Sequence, residues 1–274
     1  MSTDFKSAFL PTEGIYLLNH SVGRPPVTTA AAWSDSFLSP WENQGEDVWP
    51  CWLDSISSFK SALSRLLNSP ADNFCSQVNL SSALTKVLQS LPRNDSRDTI
   101  VYTEEDFPSI GFVLQQAERL GYKLRALPTD LDSTQPTHWD TAFDEQTALV
   151  LITHVHSNTG RQVPVDKITQ LARKRGVVSV VDIAQSVGCV PIDLEEWSAD
   201  FVIGSCVKWL CGGPGAGFLW IRPDILSQCA PQDVGWFSHE NPFEFDINNF
   251  RYADNADRFW GGTPSVQPFA VAAN

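Results

Sequence analysis

The feature that most constrains this chain is a set of short runs that are apolar almost from end to end. They are Thr99 to Thr103, Ala148 to Thr153, Val177 to Val181, Phe201 to Gly204 and Ala216 to Ile221. A strand with one wet face alternates polar and apolar residues, whereas a continuous run needs apolar cover on both faces. Helix-like stretches lie between these runs. One spans Ser109 to Leu120 and stops at Gly121. Another opens at Pro164, places Val165, Ile168, Leu171 and Ala172 on one face, sets Arg173, Lys174 and Arg175 at its negative end, and stops at Gly176. The expected fold is α/β: a three-layer αβα sandwich around a mostly parallel sheet. In such sheets ligands lie beyond the carboxyl ends of the strands.

At 274 residues, 42% hydrophobic and 19% charged, the chain has the composition of one large globular core rather than of a disordered polymer. A net charge of −13 argues against a nucleic-acid partner, because phosphate backbones demand Lys and Arg. The opening Met-Ser-Thr-Asp-Phe-Lys lacks the basic and apolar parts of a signal peptide, and no apolar run has the length of a membrane span. Cysteines 51, 75, 189, 206, 211 and 229 are scattered and read as reduced thiols, so a cytoplasmic protein is expected. The spacing of Cys206 and Cys211 matches no zinc pattern, and no metal site is expected. Residues 1–70, rich in Trp, Pro and Ser, form a looser N-terminal segment in which Trp41, Trp49 and Trp52 line either the core or a subunit interface. Residues 71–262 form the large α/β domain, and 263–274 open a connection. The apolar end from Pro268 to Asn274 resembles the start of a helix, so the chain is expected to be part of a longer enzyme with a small C-terminal domain.

Two residues stand at the chemically useful ends of these strands. Asp182 follows Val177 to Val181, and Lys208 follows Phe201 to Gly204. An amine and an acid so placed suit pyridoxal phosphate. The amine forms a Schiff base with the aldehyde, and the acid keeps the pyridine nitrogen protonated so that the ring accepts electrons. Taken singly, Lys208 reads as a solvated lysine and Asp182 as a turn or cap residue. Gly212, Gly213, Gly215 and Gly217 permit close backbone passage beside a bulky ligand. They do not form a dinucleotide loop, because a strand rather than a helix follows. Gln185 either reaches the phenolic oxygen of the cofactor or closes a capping box. The stretch Val78 to Thr85 reads as a helix start capped by small hydroxyl residues, a phosphate cup with Ser205 as a second donor. Phe107 either stacks on the ring or is an ordinary buried Phe. His154 and His156 receive no role.

With these residues in place, the chain resembles the fold-type I pyridoxal phosphate enzymes of the class V aminotransferase group, and within it the kynureninases. The likeness runs through Ile15 to Pro25, Asp106-Phe107-Pro108-Ser109, Thr153-His154-Val155, Thr159-Gly160 and the Asp182 and Lys208 segments. It ends in Gly235-Trp236-Phe237-Ser238-His239 and Arg258 to Pro264. The resemblance implies that Lys208 is the Schiff-base lysine and proton carrier and that Asp182 pairs with the pyridine nitrogen. It implies that Phe107 stacks on the ring and that Leu80 and Ser81 hold the phosphate through backbone N–H groups. It also implies that Trp236 and Thr263 reach the cofactor of a neighbouring subunit, hence a homodimer with shared active sites.

The chain departs from kynureninases at four places. Gln185 matches the cysteine desulfurase form of its motif where kynureninases have His. Val207 and Ser157 stand where kynureninases have Tyr, and Ile110 where they have Asp. The arginine for the substrate carboxylate is expected in the C-terminal domain. Three functions compete: kynureninase-like hydrolysis of an amino-acid substrate, another class V reaction (desulfurase, C–S lyase or aminotransferase), and an inert protein that keeps the fold.

Overall fold

The computed structural model describes residues 5–43 and 47–274. Residues 1–4, part of the opening tested above for a leader, and residues 44–46 lie outside the described residues. Seven strands form one sheet: β1 Phe74–Gln77, β2 Thr99–Thr103, β3 Lys123–Leu127, β4 Thr147–Thr153, β5 Val178–Asp182, β6 Phe201–Ser205 and β7 Gly217–Ile221. Their order is β1-β7-β6-β5-β4-β2-β3. The pairs β2–β3, β2–β4, β4–β5 and β5–β6 are parallel, and β7 runs antiparallel to both β6 and β1.

The continuous apolar runs are buried on both faces, as their composition requires. Val101, Val150, Ile152, Val181 and Val202 join one core with Ile56, Phe59 and Leu63 and with Ile168 and Ala172 of the helix Val165–Lys174. Their neighbours Ile100, Leu149, Leu151, Val180 and Ile203 join the other. That core is closed by the helices Leu80–Ser90 and Pro108–Ala117. Each fully buried side chain of this size contributes about 1.5–3 kcal/mol, so the central strands are the anchor of the site.

Several local expectations are corrected. Residues 1–70 are not loose throughout: Trp49–Leu67 is a 19-residue helix. Ile56, Phe59, Leu63 and Leu67 bury one of its faces, Pro50 occupies its first turn, and Asn68 ends it in a left-handed conformation (φ 50°). Trp52 packs on the core, Trp49 contacts Trp236 edge-on at 5.5 Å between ring centroids, and Trp41 remains exposed. The helix expected over Ser109 to Leu120 begins at Pro108 and tightens to a 3-10 turn over Glu118–Leu120, with Gly121 taking the left-handed turn at φ 85°. The helix Gln267–Ala272 packs Phe269 against Phe59 at 5.1 Å. Among the described residues no helix is long and apolar enough to cross a membrane.

Candidate active site

β2 is followed by β3 on one side of it, while β4, β5 and β6 build outward on the other. The sheet therefore changes direction between β2 and β4, and loops leaving the carboxyl ends diverge there. A cavity of about 190 Å³ opens along these ends, closed on one side by the N-terminus of the helix Leu80–Ser90. Leu80, Ser81, Phe107, Asp182, Gln185, Ser205 and Lys208 all line it. Trp236 and Thr263 do not: Trp236 Nε1 donates to Thr263 Oγ1 at 3.2 Å away from the cavity.

Asp182 is the last residue of β5 and pairs across the sheet with Thr153 of β4. Burial pushes its carboxyl up to about 6; the Ala184 N–H (2.8 Å to Oδ1) and the Lys208 charge oppose this, and the charge of Asp106 adds to it. Lys208 follows β6 by three residues. Burial lowers its amine below the usual lysine range, with Asp182 opposing. Its Nζ stands 5.5 Å from the centroid of the Phe107 ring. The site thus holds an amine that releases a proton more readily than a solvated lysine, beside an acid that stays charged if a cation faces it.

The anion-binding end is capped differently from the expectation. Asn79, not a hydroxyl residue, is the N-cap, and its Oδ1 accepts from Ser82 N at 2.8 Å. That bond satisfies Ser82 and leaves the N–H groups of Leu80 and Ser81, in the helix's first turn, for a ligand. Ser205 Oγ accepts from Val207 N at 3.4 Å, so its own proton remains for donation. Gln185 closes no capping box: its Nε2 donates to His20 O and its Oε1 accepts from Trp209 Nε1, both at 3.0 Å. One amide hydrogen of Gln185 is left over.

Of the glycines after Lys208, Gly212 and Gly215 are required by packing, while Gly213 has open space about it. None of them lines the cavity. A Cβ on Gly212 would stand 2.9 Å from Cys206 Cβ and Ala272 Cβ, and one on Gly215 would stand 2.9 Å from Pro268 Cγ. They let the chain pass under the helix Gln267–Ala272.

Sequence reasoning gave no role to a buried polar cluster behind the Phe107 turn. Asp106 Oδ2 accepts from Thr103 N at 3.0 Å, while its Oδ1 lies 3.9 Å from His156 Nδ1 without a hydrogen bond. Burial raises the Asp106 carboxyl. His156 Nδ1 also lies 3.3 Å from Glu105 O. The signal lay in acids after β2 and histidines after β4, and it becomes readable only once those strands are known to be neighbours. His154 packs edge-on against Trp197 at 5.1 Å, and burial lowers its imidazole to about 4, which keeps it neutral. Among the described residues no group of three or more His, Cys, Asp or Glu is placed to hold a metal.

The family model for aminotransferase class-V proteins matches residues 57–273. The chain is 28% identical to a kynureninase of Pseudomonas fluorescens, over 96% of this chain and 64% of the relative. It is 31% identical to a kynureninase of Deinococcus radiodurans, over 94% and 63%. It therefore spans a little under two thirds of these curated relatives' length. Among solved structures, that of the cystine C–S lyase C-DES with its product cysteine persulfide superposes with a TM-score of 0.84, at 24% identity, over 93% of this chain and 68% of the other. At that identity the likeness speaks for the fold.

Proposed function

The chain belongs to the aminotransferase class-V family, and on that premise we propose that it holds pyridoxal 5′-phosphate at Lys208 and acts on an amino-acid substrate. The observation that carries this reading is the placement of Asp182 at the carboxyl end of β5 and Lys208 just beyond that of β6, in one cavity with a helix N-terminus. The donor set fits the group. Two first-turn N–H groups and the Ser205 hydroxyl suit a phosphate, the Phe107 ring suits a flat heterocycle, and the buried Asp182 gains most when a cationic ring nitrogen faces it.

When bound, the cofactor supplies an aldehyde for the amine and a cationic ring that draws electron density from the substrate's α-carbon. Lys208 would be the residue that holds the cofactor through its Nζ, and the same amine would be placed to take a proton from the substrate's α-carbon. Burial suits it to this step by lowering its proton affinity below that of a solvated lysine. Asp182 would face the ring nitrogen and keep it cationic, the leftover Gln185 N–H would be free to donate to the phenolic oxygen, and Phe107 would offer the ring a flat surface.

The finer reading is kynureninase-like cleavage of a kynurenine-type side chain by water, giving alanine and an aromatic acid. The kynureninases among the relatives support it. A second reading, carbon–sulfur chemistry on cysteine derivatives, is favoured by Gln185, while Ser157 and Val207 in the cavity wall stand where kynureninases have Tyr. The family resemblance assigns Trp236 and Thr263, which lie outside this cavity, to a partner's site, and with it a homodimer. Residues 71–262 would then be the cofactor-binding domain, in the cytoplasm. Visible absorbance with added pyridoxal phosphate, then borohydride reduction and peptide mapping, tests the cofactor site: label on Lys208 upholds it, and label absent or elsewhere sinks it. Incubation of the labelled-competent protein with kynurenine and with cystine separates the two chemistries, by anthranilate in one case and sulfide or persulfide in the other.

A further inference from the structure

The segment from Tyr16 to Arg24 runs against the lysine loop, touching Val207 and Gln185 of the cavity wall, with little apolar burial to hold it. Leu17 is 78% exposed, and the adjoining Ile15 is 90% exposed. Gly23 is its buried residue. The Gly23 N–H donates to Val207 O at 2.8 Å. A Cβ at Gly23 would collide with Lys208 O and would stand 2.7 Å from Cys211 Sγ, closer than packed side chains approach. This backbone comes so near the lysine loop that only glycine fits. A second contact lies three residues earlier, where His20 O accepts from Gln185 Nε2 at 3.0 Å. The other end of that amide accepts from Trp209, the residue after Lys208.

The segment is braced internally rather than by a core. Tyr16 OH donates to Val22 O at 2.6 Å. The amides of Ser21 and Val22 both donate to Leu18 O, at 2.8 and 2.9 Å. Arg24 donates through one terminal nitrogen to Leu10 O and Pro11 O, at 2.6 and 2.9 Å. A chain that buries so little and yet is held by so many backbone bonds has a defined shape, and that shape is pressed against Val207, Lys208, Cys211 and Gln185.

We propose that Tyr16–Arg24 is a strap that positions the Lys208 loop and the Gln185 amide, with Gly23 as its contact residue. The strap acts through Lys208 and Gln185 and not on substrate. Its importance to catalysis rests on the reading of those two as cofactor residues. A displaced Gly23 would release the Val207 carbonyl and loosen the close packing on the Lys208 and Cys211 backbone, and a displaced His20 carbonyl would free the Gln185 amide to rotate.

The test uses the full chain as wild type, G23A and Y16F, the last removing only the bond to Val22 O. Hydrogen exchange followed by mass spectrometry is measured without added cofactor. Peptides covering 206–212 are expected to exchange about tenfold faster in G23A and severalfold faster in Y16F, with β4 and β5 unchanged. Borohydride-trapped pyridoxal label on Lys208 is expected to fall at least about fivefold in G23A at a cofactor concentration that half-saturates the wild type. Unchanged exchange over 206–212 in both variants overturns the strap, as does a rise spread evenly over the core, which would mean general destabilisation. If G23A does not fold, Y16F decides by the same criterion. Absence of label on wild-type Lys208 refutes the cofactor reading instead, while the exchange data still judge the strap.

Discussion

Lys208 Nζ lies 5.5 Å from the centroid of the Phe107 ring, although the two residues leave different strands. The amine follows β6 and the ring follows β2, with β5 and β4 between them, so the loops leaving the two strands converge over the sheet's carboxyl end to bring the pair together. A flat ligand attached to that amine would rest on the ring. Phe107 is 49% exposed, so it contributes less to the core than to whatever covers it. F107A is expected to weaken pyridoxal phosphate binding by about 1 kcal/mol or somewhat more, roughly tenfold, as an aromatic stacking partner is lost. The melting temperature of the cofactor-free protein should barely move. Absorbance titration measures the first and calorimetry the second; unchanged affinity would remove the ring-plate role.

Asp182 makes the cofactor-free protein sensitive to pH. Its folded carboxyl is raised from 3.8 to about 6, so the folded state binds this proton more tightly than the unfolded state does. Stability from this group is therefore full below about pH 4 and is lost as pH rises through about 6. At about 1.36 kcal/mol per unit, the penalty at neutral pH is at most about 3 kcal/mol. D182N should be more stable than wild type at pH 8 and about equal at pH 4 in urea unfolding. Since the Asp106 charge also raises Asp182, D106N should lower the Asp182 midpoint seen by carboxyl carbon resonance. A D182N variant with no pH-dependent gain would mean that water or structural relaxation already solvates the acid.

The lysine carries a sharper expectation. K208A should retain the fold, because its side chain is only half-buried. It should lose all borohydride-resistant label, and turnover should fall by at least about 10²–10⁴, the usual range for removing a positioned proton carrier. Retained label at another lysine, with retained turnover, would move the chemistry away from β6.

The strands and their chemical ends were legible because burial on both faces leaves no freedom in residue type: β4 and β7 admit almost only apolar residues. The edges were not. β3, at the sheet's margin, alternates Lys123 and Arg125 with apolar residues, and β1 is four residues long with Ser76 and Gln77 in it. The helix Trp49–Leu67 had a readable stripe at Trp52, Ile56, Phe59 and Leu63, but it lies in a stretch whose Trp, Pro and Ser content reads as loose. Asp182 and Lys208 could be read from strand ends alone. The closeness of Asp106 to His156, and of Gly23 to Lys208, depends on strand order and on a long return of the chain, which no local pattern encodes.

Lys60 and Asp257 join the N-terminal helix to the segment Ala256–Phe259, with Lys60 Nζ 2.9–3.0 Å from both carboxylate oxygens. Both side chains are largely withdrawn from water, and burial raises the Asp257 carboxyl against the pull of Lys60. A buried pair adds little over an apolar pair of the same shape, yet losing one partner strands the other charge. D257A is therefore expected to cost about 3–5 kcal/mol in urea unfolding at neutral pH, and K60M a similar amount. The double variant K60M/D257L should recover most of that loss, because no charge is then left unpaired. If the double variant is as unstable as D257A alone, the contact holds the segment by shape and not by charge compensation.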